Sequence, residues 1–332
     1  MESLGKKSFA QTLGKGVKSI FTSTAGVVFV VTMLITLFVN IATNGNFYTA
    51  YNISTFTRTA CFTIIVGFAQ TLVLLLGGID LSVASVAGLA SMVFAMLVLV
   101  MGVDPYVAIA IAMIAGIGMG ALNGIFICGL GLTPFIVTLA TSSLFKGIVY
   151  VATQGFPLTG IPESVTVIGQ GSLGGILPYP VIIMIVLAVV LIFILKLTSF
   201  GRHIYAVGGN EEASKIVGIR VNKTKMGVYC MAGLLSAIAG VLMVLRMGSS
   251  QVNIGENWVM PSITAAVLGG TSMNGGSGGI GGTIVGGFLM ATISYSISLL
   301  GISSYWDQVV TGLVVLIAIS IDAIRRKKQA SV

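Results

Sequence analysis

Residues 201–225, GRHIYAVGGNEEASKIVGIRVNKTK, form a charged segment in a chain that is otherwise strongly apolar. This segment, called the polar loop below, holds seven of the chain's 26 charged residues, which comprise 17 basic and 9 acidic side chains. Apolar runs flank it, VIIMIVLAVVLIFILKLT at 181–198 and MGVYCMAGLLSAIAGVLMVL at 226–245. Helices of about 20 apolar residues are long enough to cross ~30 Å of hydrocarbon. The polar loop is therefore predicted to be a water-exposed connection between two membrane spans.

The rest of the chain repeats this apolar pattern. Of the 332 residues, 56% are apolar and only 8% are charged, whereas soluble domains contain about 25% charged residues. The pattern predicts an all-α, polytopic transmembrane helical bundle of about ten spans, or of eight if residues 82–129 form one re-entrant unit. The ten predicted spans are, approximately, 19–42, 57–78, 82–101, 106–128, 134–152, 181–198, 226–245, 261–269, 283–300 and 306–321.

Lysine and arginine are unevenly distributed among the predicted loops. Of the 17, four precede the first span, five lie in the polar loop and four follow the last span. Ten spans place these three regions on one side, and the positive-inside rule makes that side the cytoplasm. We therefore expect a cytoplasmic tail at 1–18, a transmembrane domain at 19–323 and a basic cytoplasmic tail at 324–332. The net charge of +8 is explained by topology, and nucleic-acid binding is not expected.

The sequence lacks the residue sets that common enzyme and metal chemistry needs. The single histidine, His203, lies in the polar loop, so no Ser-His-Asp set can be built inside the membrane. The three cysteines all fall in apolar runs and are expected to be small core residues. No GxxxxGK[ST] motif occurs, so the chain cannot bind and hydrolyse ATP through a P-loop. No catalytic residue, metal site or bound cofactor is predicted.

The polar loop contains the signals of one short helix. The glycine pair at 208–209 is expected to break the chain, and Asn210 is a favourable N-cap. Glu211 and Glu212 follow in the first turn, where carboxylates complement the helix dipole, and Gly218 suits the position after the helix end. Its apolar face is formed by Ala213, Ile216 and Val217. A capped helix of this kind between spans is typical of a docking element, and an ordinary solvated loop is the alternative.

Asp80 is an unusual carboxylate for a membrane protein. It lies in LGGIDLS at 76–82, which interrupts an apolar region from about 57 to 101. A carboxylate at the membrane centre costs about 2.5–3.5 kcal/mol on insertion scales, so it needs solvent or hydrogen-bond donors. Asp80 is expected to cap the following helix in a tight turn or to line a polar pathway, and the two roles are compatible.

Two more segments interrupt the helical pattern. In GLTPFIVT at 131–138, Pro134 suits a first helical turn, and Thr138 offers a hydroxyl to a pathway or to a helix carbonyl. Residues 269–287 contain ten glycines in 19 positions, which favours close helix packing and a broken helix. Other polar groups in or beside the predicted spans are Gln70, Asn123 and Asn257.

Four motifs together resemble the ribose-type membrane permeases of bacterial ATP-binding-cassette importers. They are GGIDLSVAS at 77–85, TPFIVTL at 133–139, the polar loop, and AAVLGGTSMNGGSGGIGGTIVG at 265–286. They occur in the family's order, and the resemblance extends from about residue 55 to the end of the chain. The sequence is thereby identified as a permease, with 19–323 as its transmembrane permease domain.

The resemblance implies partners and candidate site residues. It implies a second permease copy or a paralogue in the inner membrane, cytoplasmic ATPase subunits that hydrolyse ATP, and an extracytoplasmic binding protein that delivers a monosaccharide. The residues that match the family's ATPase-facing loop are Asn210, Glu211, Glu212, Ala213, Ser214, Lys215 and Gly218. The residues that match the family's intramembrane motif are Gly77, Gly78, Asp80 and Ser82. The candidates for the translocation pathway are these four residues together with Gln70, Asn123, Phe135 and Thr138.

Two alternatives remain open from the sequence. A permease for nucleosides or another small solute would share this general plan. A secondary transporter would need no ATPase, but ion coupling usually requires several intramembrane acids, and only Asp80 and Asp307 qualify.

Overall fold

The computed structural model describes residues 24–330 except 176 and 304. The predicted tail at 1–18 and the start of the first span lie outside the described residues. The described chain is mostly helical, as predicted. Its α-helices are α1 Thr24–Ala42, α2 Ala50–Leu75, α3 Val83–Leu99, α4 Pro105–Gly129, α5 Pro134–Thr153, α6 Glu163–Gln170, α7 Tyr179–Leu197, α8 Ser199–Gly209, α9 Glu211–Ile216, α10 Val221–Met247, α11 Val259–Leu268, α12 Ile280–Leu299 and α13 Tyr305–Ala330.

Among the described residues, four two-residue strands form two antiparallel pairs. β1 (Leu158–Thr159) pairs with β4 (Ser249–Ser250), and β2 (Ser172–Leu173) pairs with β3 (Leu177–Pro178). With α6, the first three strands give a folded structure to the connection between α5 and α7. The β1–β4 pair also ties this connection to the residues that follow α10.

Seven of the described helices are long and apolar enough to cross a membrane, namely α1, α2, α4, α5, α7, α10 and α12. Three shorter apolar helices are α3, α11 and the first part of α13, Tyr305–Ile317. In chain order these ten elements correspond to the ten predicted spans, and a multi-pass membrane protein is confirmed. The number of complete crossings and the side on which the termini lie stay predictions.

The region 82–129 folds as two helices joined by a short turn. Residues 100–104 separate α3 from α4, and Asp104 begins α4 as its N-cap. The Asp104 carboxylate accepts hydrogen bonds from the backbone N–H groups of Tyr106 and Val107, at 2.9 and 3.3 Å. The carboxylate thus satisfies amides that a helix start leaves without partners.

Helices α2 and α10 form the centre of the bundle. We compare the buried share of an apolar 18-residue stretch in each helix. It is 83% in α2 and 72% in α10, against 22% in α1 and 28% in α5. Helix α10 packs closely on α4 because small residues face each other. A Cβ atom at Gly120 would lie 2.1 Å from the Tyr229 carbonyl oxygen, and one at Gly233 would lie 2.2 Å from that of Gly116. Small residues at such crossings let membrane helices approach closely.

Candidate functional site

The polar loop contains two helices, α8 and α9, so the prediction of a single helix was wrong. The glycine pair at 208–209 does not break the chain but forms the last turn of α8. Asn210 follows in an extended conformation, and its side-chain oxygen accepts a hydrogen bond from the Ala213 N–H at 2.9 Å. Gly218 has a φ of +83°, which favours glycine after a helix end. The predicted N-cap and the predicted end of the short helix are confirmed.

The predicted apolar face of α9 is exposed in the single chain. Ile216 is 84% and Val217 is 75% accessible, and Ala213 is also exposed. Helices this short are not stable alone, so other contacts must hold α9 in place. Ser214 is buried, and its hydroxyl donates to the Asn210 carbonyl at 2.8 Å.

Glu211 anchors α9 to the neighbouring membrane helix. Its carboxylate forms salt bridges with Lys225 of α10 at 2.6 Å and with Lys215 at 3.2 Å. The hydrogen bond from Lys225 is the main reason why the pKa of Glu211 lies below its ordinary value. Lys215 also contacts Glu212 at 2.9 Å, so the charged residues of α9 hold each other and leave the apolar face free.

The end of α8 packs against two of the other motifs through backbone contacts. A Cβ atom at Gly208 would lie 1.7 Å from the Leu75 carbonyl oxygen, and one at Gly275 would lie 2.6 Å from that of Gly208 and 2.8 Å from the Gly77 nitrogen. The Gly276 N–H also donates to the Leu75 carbonyl at 3.0 Å. We call this contact of residues 75–77, 208–209 and 275–276 the glycine joint. Backbones can meet this closely only where side chains are absent, which explains the glycine at 208.

Asp80 lies in a buried hydrogen-bond network. Its carboxylate oxygen Oδ1 accepts from the Ser82 backbone N–H at 2.7 Å and from the Ser82 hydroxyl at 2.6 Å. The Asn123 amide donates to the Ser82 hydroxyl at 2.8 Å, and the Thr141 hydroxyl donates to Asn123 Oδ1 at 2.7 Å. These four residues, the Asp80 network, join α3, α4 and α5. All are buried, and Asp80 is 3% accessible.

Two more candidates hold the backbone around Asp80. The Gln70 amide donates to the Asp80 carbonyl. The Thr138 hydroxyl accepts from the Leu81 N–H at 3.1 Å and donates to the Pro134 carbonyl at 2.9 Å. The bond to the Pro134 carbonyl is the helix back-bond that was one of the two roles expected from the sequence. The Thr138 hydroxyl therefore stabilises both its own helix and the Asp80 segment.

Most of the predicted pathway residues therefore lie together. Gln70, Asp80, Ser82, Asn123 and Thr138 are buried around one segment, with Gly77 and Gly78 just before it. Phe135 is the exception, because its ring is 49% accessible on the surface of α5. Thr141 was not among the pathway candidates, although its position three residues after Thr138 places the two hydroxyls on the same face of α5.

The described residues thus combine a polytopic helical fold with a buried polar network and an exposed helix between spans. Residues 52–319 match the family model for the branched-chain amino acid transport system permease component. The chain belongs to this family.

Similar curated proteins are sugar permeases. The chain is 41% identical over 289 residues to the ribose import permease protein of Bacillus subtilis, covering 86% of this chain and 88% of that protein. It is 31% identical over 355 residues to the xylose transport system permease protein of Haemophilus influenzae, covering 89% and 95%. It is 33% identical over 322 residues to the fructose import permease protein of Rhizobium meliloti, covering 94% and 88%. No solved structure matches the chain.

Proposed function

We propose that this chain is the permease subunit of an ATP-driven importer in the bacterial inner membrane. It translocates a monosaccharide that an extracytoplasmic binding protein delivers. The observation that carries the proposal is the exposed, capped helix α9, which is attached through the glycine joint to the segment that holds Asp80. The ribose, xylose and fructose permeases among the relatives support a monosaccharide as the substrate.

Helix α9 is the docking site of a cytoplasmic ATPase subunit. Its apolar side chains Ile216 and Val217 are accessible, and burial of such side chains by a partner is favourable. The coupling residues are Asn210, Glu211, Glu212, Ala213, Ser214, Lys215 and Gly218. In this arrangement the chain binds no cofactor, and the partner subunit hydrolyses ATP. Both termini lie in the cytoplasm with the polar loop, and a second permease copy or a paralogue completes the membrane unit.

Force passes from α9 to the pathway by direct contact. Asn210 follows the glycine pair at 208–209, and Gly208 of this pair packs on the backbone of Leu75 and Gly275. Leu75 ends α2, and Gly77, Gly78 and Asp80 follow within five residues. Closely packed backbone transmits displacement because it has little room to deform. Movement of α9 therefore displaces the Asp80 segment and, with it, the network that links α3, α4 and α5.

The test is reconstitution of the chain with its ATPase and binding protein in proteoliposomes. Ile216→Asp places a charge on the docking face, and we expect it to abolish sugar-stimulated ATP hydrolysis and uptake while membrane insertion is unchanged. Ile216→Met keeps an apolar side chain and is the matched control with near-normal activity. Normal stimulated hydrolysis by Ile216→Asp would refute the docking role, and ATP-dependent uptake of leucine but of no sugar would refute the monosaccharide substrate.

A further inference from the structure

A partly enclosed cavity of about 100 Å³ lies next to the Asp80 network, between α3, α5 and the residues before α11. Its polar and small lining residues are Ser85, Gly88, Ser142, Lys146, Asn253 and Glu256. We call it the Ser142 pocket.

The Ser142 pocket is continuous with the Asp80 network. The Ser85 hydroxyl donates to the Ser82 carbonyl at 2.9 Å and lies 3.3 Å from the Ser142 hydroxyl. Ser142 directly follows Thr141 of the network, and Lys146 lies one helical turn further along α5. The pocket therefore lies beyond the network in the chain direction of both α3 and α5, on the side away from the glycine joint.

A salt bridge between Lys146 and Glu256 crosses the lining of the pocket. It joins α5 to the segment before α11, and its side chains are 46% and 49% accessible. Glu256 also lines a second open pocket, of about 230 Å³, with Asp307 of α13. Accessible ion pairs contribute little to stability, so this one can open at low cost.

We propose that the Ser142 pocket is a transient binding site for the transported sugar and that the Lys146–Glu256 ion pair restricts access to it. This inference rests on the proposed function and adds a location for the sugar. The chemistry suits a neutral polyol, because the ion pair has no net charge and its two partners supply donors and acceptors. The Ser85, Ser142 and Asn253 side chains can each donate and accept a hydrogen bond. Sugar hydroxyls can thus replace the contacts between Lys146 and Glu256 while each charged group keeps a hydrogen-bond partner.

The pocket is tested by protection of an introduced thiol in the reconstituted importer. Ser142→Cys is made after the native cysteines have been replaced, and its rate of alkylation is measured with and without ribose, xylose and fructose. At a sugar concentration of roughly twice the dissociation constant, the rate should fall about threefold with the sugar that is imported. The matched control is Ser143→Cys, the next residue of α5, which is exposed and does not line the pocket. Its alkylation should not respond to sugar.

The role of the Lys146–Glu256 ion pair in restricting access to the pocket is tested in the same Ser142→Cys protein. Lys146→Met combined with Glu256→Gln removes both charges, and alkylation of Ser142→Cys without sugar should become several-fold faster. The reversed pair, Lys146→Glu with Glu256→Lys, should restore the slow rate. Sugar uptake with no protection of Ser142→Cys would overturn the proposed binding site alone. An unchanged alkylation rate in the uncharged variant would show that the ion pair does not restrict access to the pocket. Absence of uptake of all three sugars would overturn the proposed function and this inference with it.

Discussion

Asp80 is held by hydrogen bonds from Ser82 that replace water around a buried carboxylate. Both bonds reach the same oxygen, Oδ1, and no lysine or arginine forms a salt bridge with Asp80 among the described residues. Asp80→Ala should therefore leave the Ser82 N–H and hydroxyl without this acceptor, at a cost of about 1–3 kcal/mol in the free energy of unfolding. Asp80→Asn keeps an acceptor oxygen at the same place and should lose much less. Thermal unfolding of the purified variants in detergent measures the difference, and equal stability of wild type and Asp80→Ala would contradict this role.

At the scale of elements, the glycine joint predicts different effects for alanine substitutions at two neighbouring glycines of α8. A methyl group at Gly208 would collide with the Leu75 carbonyl, whereas one at Gly209 meets no atom within 4 Å. Gly208→Ala should separate α8 from the end of α2, lower the free energy of unfolding by the roughly 1–3 kcal/mol typical of overpacking, and reduce sugar-stimulated ATP hydrolysis. Gly209→Ala is the matched control and should retain both stability and coupling. Stimulated hydrolysis that is equal in the two variants would show that the joint does not transmit force.

For the whole molecule, the charge distribution predicts that the polar loop and α6 lie on opposite sides of the membrane. Lys223 is an exposed residue of the polar loop, and Ser164 is an exposed residue of α6. With native cysteines replaced, a membrane-impermeant thiol reagent added to spheroplasts should label Ser164→Cys but not Lys223→Cys. Broken membranes should allow both to react. Labelling of Lys223→Cys from outside in intact spheroplasts would invert the topology and would remove α9 from the reach of any cytoplasmic ATPase.

The amino-acid sequence by itself determined the fold class, the order of the apolar helices and the caps of α9. These properties depend on residues close together in the chain: apolar runs of membrane length, Asn210 before two glutamates, and Gly218 after the last turn. Only the tertiary structure decided that Asp80, Asn123 and Thr141 share one network and that Gly208 meets Leu75 and Gly275. The physical reason is that these contacts join residues 18 to 133 positions apart, and local spacing carries no information about which helices pack together. For the same reason the salt bridge from Lys146 to Glu256, 110 residues apart, and the pocket beside it became apparent only when the helices were placed in space.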